Sequence, residues 1–174
     1  MSKVSHSKAV EVANCTSPYS DIVTQEVLTQ GFCIRVKGRG SSMYPFVRTD
    51  DMLLIEPKKP DEFNIGDIIF YRRPTGVYVA HRLIKKNGTT TLITKGDNVP
   101  YYDEPVPIEQ VLGRVVSVER DGRLRMLDSG LNRVVSRCWA RLAPISWWLR
   151  SIMKPGWKLL ERFFTSGITR KICI

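Results

Sequence analysis

Histidine is nearly missing from this chain. There are two in 174 residues, His6 and His81. His6 lies in a polar N-terminal segment, so any imidazole chemistry falls to His81. Cysteine is also sparse. Cys15, Cys33, Cys138 and Cys173 are widely scattered, no two show CxxC spacing, and histidine partners of the finger type are absent. A disulfide framework and a zinc site are therefore not indicated, and no metal or other cofactor is expected. No run of about 18 uncharged apolar residues occurs, so no transmembrane helix is expected. The N-terminus does not read as a secretory signal, because Lys3, Lys8, Glu11, Asp21 and Glu26 interrupt it. These absences suit a cytoplasmic or peripheral membrane protein. Internal repeats and low-complexity runs are missing as well.

Acidic residues are scarce in one place only. Residues 1–128 hold 18 Lys/Arg against 16 Asp/Glu, a net of +2, whereas residues 129–174 hold 9 against one, Glu161, a net of +8. All four tryptophans, Trp139, Trp147, Trp148 and Trp157, fall in that second part. The formal charge of +10 therefore describes a tail and not the whole chain. Three units are expected: an N-terminal tail and helix over 1–31, a β unit over 32–128, and a basic, Trp-rich helical tail over 129–174. With 43% hydrophobic residues, the chain can bury a core.

Taken in order, residues 1–16 are polar and expected to fray. Ser17 to Gln30 suits one helix, with Ile22, Val23, Val27 and Leu28 as its apolar side and Gly31 at its end. The period then changes to two, with Phe32, Ile34 and Val36 facing one way and Cys33, Arg35 and Lys37 the other. Strands are expected at Met52–Glu56, at 67–71, at 77–84 and at 89–94, with Asn87-Gly88 as a tight turn. Another is expected over 111–119, turned by Asp121-Gly122 into Leu124–Leu127. About seven short strands make a mainly β body. In the tail, Leu131, Val134, Val135, Cys138 and Leu142 share a helix face, and Arg133, Arg137 and Arg141 share another. Pro144 ends that helix. Ile145 to Met153 is Trp-rich. From Trp157, the residues Leu159, Leu160, Phe163 and Phe164 share a side. Such helices could anchor on an anionic membrane surface, pack on the β body, or bind nucleic acid, the last being the least favoured.

Between the first two strands lies Gly38-Arg39-Gly40-Ser41-Ser42-Met43-Tyr44-Pro45. Taken alone it is most simply a Gly/Ser-rich turn. The stretches downstream change its meaning. They are Gly66-Asp67-Ile-Ile-Phe70, Ala80-His81-Arg82, Thr94-Lys-Gly-Asp97-Asn98, Asp103 and Leu112-Gly113-Arg114-Val115. In this order, over roughly residues 34–118, they resemble the signal peptidase superfamily of serine peptidases, which includes the LexA-type self-cleaving repressors. Ser42 matches the serine of that group's Ser-Met-x-Pro box. His81-Arg82 resembles the histidine-type, archaeal and endoplasmic-reticulum branch, where bacterial signal peptidases carry lysine. The resemblance implies a β-ribbon catalytic domain.

The chemistry of these residue types agrees. A serine hydroxyl needs a base within hydrogen-bond reach, and an imidazole, which titrates near neutrality, can take that proton and return it to a leaving amine. A carboxylate on the other ring nitrogen fixes the tautomer. Ser42 is thus expected as nucleophile, His81 as general base and acid, and Asp103 as orienting acid, with Asp97 sharing that role or bracing its loop. The Ser42 N–H is expected in the oxyanion hole. Gly40 stands where many signal peptidases carry a serine that assists, so the hole uses backbone alone or Ser41. Met43 and Pro45 complete the box. Lys85, Lys86 and Lys95 are candidate alternative bases but look solvated. The resemblance further implies a peptide substrate cut after a small residue. LexA-type self-cleavage and a non-catalytic basic module on the same fold are the alternatives.

Overall fold

A computed structural model describes residues 10–12 and 18–144. The Trp-rich run 145–153, the apolar side over 157–164, His6, Cys15, Cys173 and Ser17 lie outside the described residues. The elements are β1 (Val10–Val12), α1 (Pro18–Thr29), β2 (Ile34–Lys37), β3 (Met52–Glu56), β4 (Ile68–Arg72), β5 (Tyr78–Asn87), β6 (Thr91–Lys95), β7 (Val106–Pro107), β8 (Val111–Arg120), β9 (Arg123–Met126) and α2 (Gly130–Arg141). The chain is mainly β, as expected, with one short helix between β1 and β2 and another after β9. All nine strands join one sheet in the order β1-β2-β3-β8-β4-β5-β6-β7, and β9 pairs with β8. Among the described residues only the β1–β2 pairing is parallel; β1 falls within the segment expected to fray.

The ten-residue β8 is the spine of the sheet. One edge pairs with β3, from Glu56↔Arg114 to Met52↔Glu119. The other edge serves β4 near its start, through Ile69↔Arg114 and Tyr71↔Val111, and β9 near its end, through Ser117↔Met126. Register shifts at Leu54/Ile55 and Phe70/Tyr71 mark irregularities where β8 meets β3 and β4. Such bulges bend a sheet and raise its local twist. Gly113 lies at this crossing. A Cβ there would come 2.4 Å from the Glu56 carbonyl oxygen, so the strands meet only because the residue is glycine.

Strand alternation sends successive side chains to opposite faces. Along β4, Ile68 and Phe70 enter one core with Leu28, Ile34, Val36, Met43, Leu53, Ile55, Val115 and Val118. Ile69 and Tyr71 enter a second core with Phe63, Leu83, Leu92 and Val106. Burial on both faces explains why this strand reads as an unbroken apolar run.

The expected apolar side of α1 is divided: Leu28 is buried and Val27 packs against the first core, beside buried Thr24, while Ile22 is 70% and Val23 45% exposed. α2 packs on a different side from the one its apolar residues suggest. In α2 the buried residue is Ala140, followed by buried Ala143, while Leu131, Val134 and Leu142 face solvent. The reason is close approach. A Cβ on Gly66 would lie 2.9 Å from the backbone of Ser136 and Arg137, so the small side of α2 rests directly on a glycine turn. Trp139 meets Phe46 edge-on at 5.5 Å.

Candidate active site

The serine loop runs from the end of β2 to the start of β3. Its neck is closed by backbone bonds from Gly38 N–H to Asp51 O (2.7 Å) and from Asp50 N–H to Gly38 O (3.0 Å). Asp51, 2% exposed, accepts from the Arg48 N–H and from both Nε and Nη2 of Arg120 at 2.7 Å each, which ties the loop to β8. Two tight bonds, Tyr44 N–H to Ser41 O and Val47 N–H to Met43 O, coil the far end. That coil buries Met43, Pro45, Phe46 and Val47 and leaves Ser42 half-buried above them. Gly40 has φ +82, a conformation that a serine side chain would strain.

His81 comes from the middle of β5 and Asp103 from the loop after β6. The Ser42 Oγ lies 2.9 Å from His81 Nε2, and His81 Nδ1 lies 2.6 Å from Asp103 Oδ2. Ionised Asp103 only accepts, so the proton belongs on Nδ1 and Nε2 is free to accept from the serine hydroxyl. Asp103 Oδ2 also accepts from Thr94 Oγ1 at 2.8 Å, and Oδ1 from Arg73 Nη2 at 2.8 Å. Burial pushes the Asp103 carboxyl up; the bonds from His81 and Thr94 and the charge of Arg73 outweigh it and hold the carboxyl below the ordinary carboxylate range.

Asp97 is elsewhere. Its two oxygens take Arg82 Nε and Nη2 at 2.7 and 2.6 Å, and Arg82 Nη1 donates to Gly66 O at 2.8 Å. No hydrogen bond joins Asp97 to His81 among the described residues. Arg82 is fully buried, with its guanidinium 4.6 Å from the centre of the Phe46 ring. The pair therefore braces the loop behind the site. Lys95, expected to be solvated, is 2% exposed. Its register opposite Arg82 turns it inward, and burial pulls its ammonium below the usual lysine value against the pull of Asp97 and Asp103. Lys85 is exposed and Lys86 half-buried.

Ser41 is exposed, and its carbonyl accepts from the Asn98 side-chain amide at 2.9 Å. The Asn98 N–H holds the Ser42 carbonyl at 2.7 Å. Gly96 packs still closer: a Cβ there would be 2.9 Å from Ser42 O and 3.2 Å from His81 Nε2. Sequence reasoning placed the Thr94–Asn98 stretch in the resemblance and gave roles to Asp97 and Lys95, but assigned none to Thr94, Gly96, Asn98 or Arg73. The Gly-Asp-Asn turn was visible, but its position beside His81 depends on the pairing of Arg82 with Lys95.

Ser42, His81 and Asp103 open onto a cleft of about 850 Å³, which Gly40 and Met43 also line. Its floor includes Val36, Leu53, Phe70 and Ala80. Along one side, residues 78–80 of β5 pair with β4 only, since pairing with β6 begins at Arg82. This stretch leads up to His81 with no pairing to β6. The N–H groups of Ser42 and Met43 meet no acceptor among the described residues.

A hydroxyl, an imidazole and a carboxylate in hydrogen-bonded series beside an open cleft can carry out nucleophilic acyl transfer. No helix among the described residues is long and apolar enough to cross a membrane. No curated protein matches the chain. The family model for Peptidase S24-like proteins matches residues 6–116, a span that holds Ser42, His81, Asp97 and Asp103. With more than half of its length matched, the chain belongs to the Peptidase S24-like family, a family of serine peptidases.

Proposed function

We propose that this protein is a serine endopeptidase of the histidine-type, signal peptidase-like kind, which removes a leader or signal-like segment after a small residue. The observation that carries the reading is the unbroken series Ser42 Oγ, His81 and Asp103, with contacts of 2.9 and 2.6 Å. The substrate lies extended along β5 before His81, where β6 does not pair, and main-chain bonds supply affinity. Ser42 Oγ attacks the scissile carbonyl carbon while His81 Nε2 takes the hydroxyl proton. The carbonyl oxygen becomes an oxyanion facing the Ser42 N–H. His81 then gives its proton to the leaving amine as the C–N bond breaks, and an acyl group remains on Ser42. Water, deprotonated by His81, attacks that ester and restores the serine. Asp103 stabilises the imidazolium that forms in each half.

The test compares wild type with Ser42→Ala and His81→Ala on a peptide library, and maps new N-termini in cells carrying active or Ser42→Ala protein. Products only from wild type, cut after small residues, are expected. Equal cleavage by all three proteins would remove the catalytic assignment. Loss of an N-terminal fragment of the protein itself, at a rate independent of its concentration, would instead mark LexA-type self-cleavage.

A further inference from the structure

The peptidase chemistry makes no use of the outward side of α2. This helix, Gly130–Arg141, holds Arg133, Arg137 and Arg141 and no acidic residue, so one short element carries +3. Its inner side is taken: Ala140 is buried, the Ser136 backbone meets Gly66, and Trp139 meets Phe46. At about 100° per residue, the remaining surface divides into two adjacent rows. Leu131, Val134, Cys138 and Leu142 make one, across about 80° of arc, and the three arginines make the other, across about 80° beside it. All seven side chains are exposed, Leu131 by 77% and Val134 by 55%. Among the described residues, no ion pair or side-chain hydrogen bond takes up any of the three guanidinium groups. Asp128, the nearest acid in sequence, is engaged by Arg114 at 3.6 Å.

An apolar row beside a cationic row suits a helix lying in the headgroup region of an anionic bilayer. Leucine and valine enter the acyl boundary, while the arginine stems run along it and the guanidinium groups take phosphate oxygens. The β body does not claim the apolar row, because the small side of the helix already docks there. A single-stranded nucleic acid stacks its bases on exposed aromatics, and the aromatic of this helix is turned against Phe46. We propose that the outward side of α2 is a docking surface for an anionic membrane. It binds through phosphate contacts to Arg133, Arg137 and Arg141 and through burial of Leu131, Val134 and Leu142. The basic bias of residues 129–174, +8 in all, continues past the helix and adds to the attraction. None of these docking residues lines the catalytic cleft, so the surface stands independently of the peptidase reading.

The experiment floats the full-length protein with vesicles of phosphatidylcholine alone or with about one third phosphatidylglycerol, at low and high salt. Binding to the anionic vesicles, weakened by salt, is expected. R133Q/R141Q should bind about 25-fold more weakly, at about fivefold per arginine near an anionic surface, and R133K/R141K should keep most of the binding. L131N/V134N should lose at least about tenfold through its apolar contacts. K85Q/R123Q removes two exposed charges elsewhere and should bind as wild type. Urea midpoints confirm that each variant is folded, as expected for side chains that face solvent. Equal binding to neutral vesicles, wild-type binding by R133Q/R141Q or L131N/V134N, an equal loss in K85Q/R123Q, or no flotation at all would each overturn the inference. A dimer that L131N/V134N splits, or oligothymidylate binding that R133Q/R141Q abolishes, in protein that does not float, would give the surface to a second copy or to nucleic acid instead.

Discussion

Gly96→Ala tests how closely the site is assembled. The added methyl would start 2.9 Å from Ser42 O, 3.0 Å from Val99 Cγ2 and 3.2 Å from His81 Nε2. Ordinary contact begins near 3.4 Å, so about 0.5 Å must open toward the serine carbonyl and about 0.2 Å toward the imidazole. The valine methyl can rotate aside. The Ser42 carbonyl cannot, because the Asn98 N–H, two residues along the same turn, holds it at 2.7 Å. The methyl therefore wedges the nucleophile loop away from β5 and lengthens the 2.9 Å contact between Ser42 and His81. A displacement of about 1 Å costs on the order of 100-fold in rate, so half of that is worth roughly tenfold. Overpacking of this kind costs about 1–3 kcal/mol, against a typical domain stability of about 5–15 kcal/mol, so the fold survives. The expected result is kcat lowered about tenfold with KM little changed, and a matching drop in the rate at which a fluorophosphonate labels the serine. Gly130→Ala is the control, because nothing lies within 4 Å of its added methyl. Wild-type labelling and turnover in Gly96→Ala would refute the reasoning, as would an activity loss that merely follows the unfolded fraction in a urea titration.

Two further outcomes follow from the ion pairs around the site. Arg82→Leu leaves Asp97 buried without its bidentate partner and should destabilise the protein by about 3–5 kcal/mol; combining it with Asp97→Leu should recover a good part of that, read from urea midpoints. Asp103→Asn keeps the shape but no longer fixes the imidazole tautomer, and should lower kcat about 1000-fold or more. The native Asp103 carboxyl is held below its unfolded value, so its stabilising contribution is present above the ordinary carboxylate range and disappears as pH falls through the depressed value. Urea melts between pH 7 and pH 3 should therefore show a steeper acid loss in wild type than in Asp103→Asn; parallel curves would contradict this.

Strand alternation made the β body readable in the sequence, and the colinear Ser42, His81 and Asp103 stretches made the candidate site readable. What stayed hidden depends on register and close approach. Lys95 reads as a solvated lysine beside a turn, yet pairing opposite Arg82 turns it inward. Asp97 and Asp103 were both plausible partners for His81, and only the three-dimensional path of the 96–103 loop separates them. The apolar stripe of α2 misled for a related reason. Periodicity shows where apolar residues gather on a helix, but contact with the backbone at Gly66 favours its smallest side, through Ser136, Ala140 and Ala143.

That docking gives α2 a mechanical role. Trp139 bears on Phe46, which lies four residues beyond Ser42 in the coiled part of the serine loop. Ser136 and Arg137 bear on Gly66, whose carbonyl is fastened to Arg82, the neighbour of His81. One rigid helix thus stands on two load paths, one ending at the nucleophile and the other at its base. A substitution that shifts α2 therefore reaches both halves of the site together.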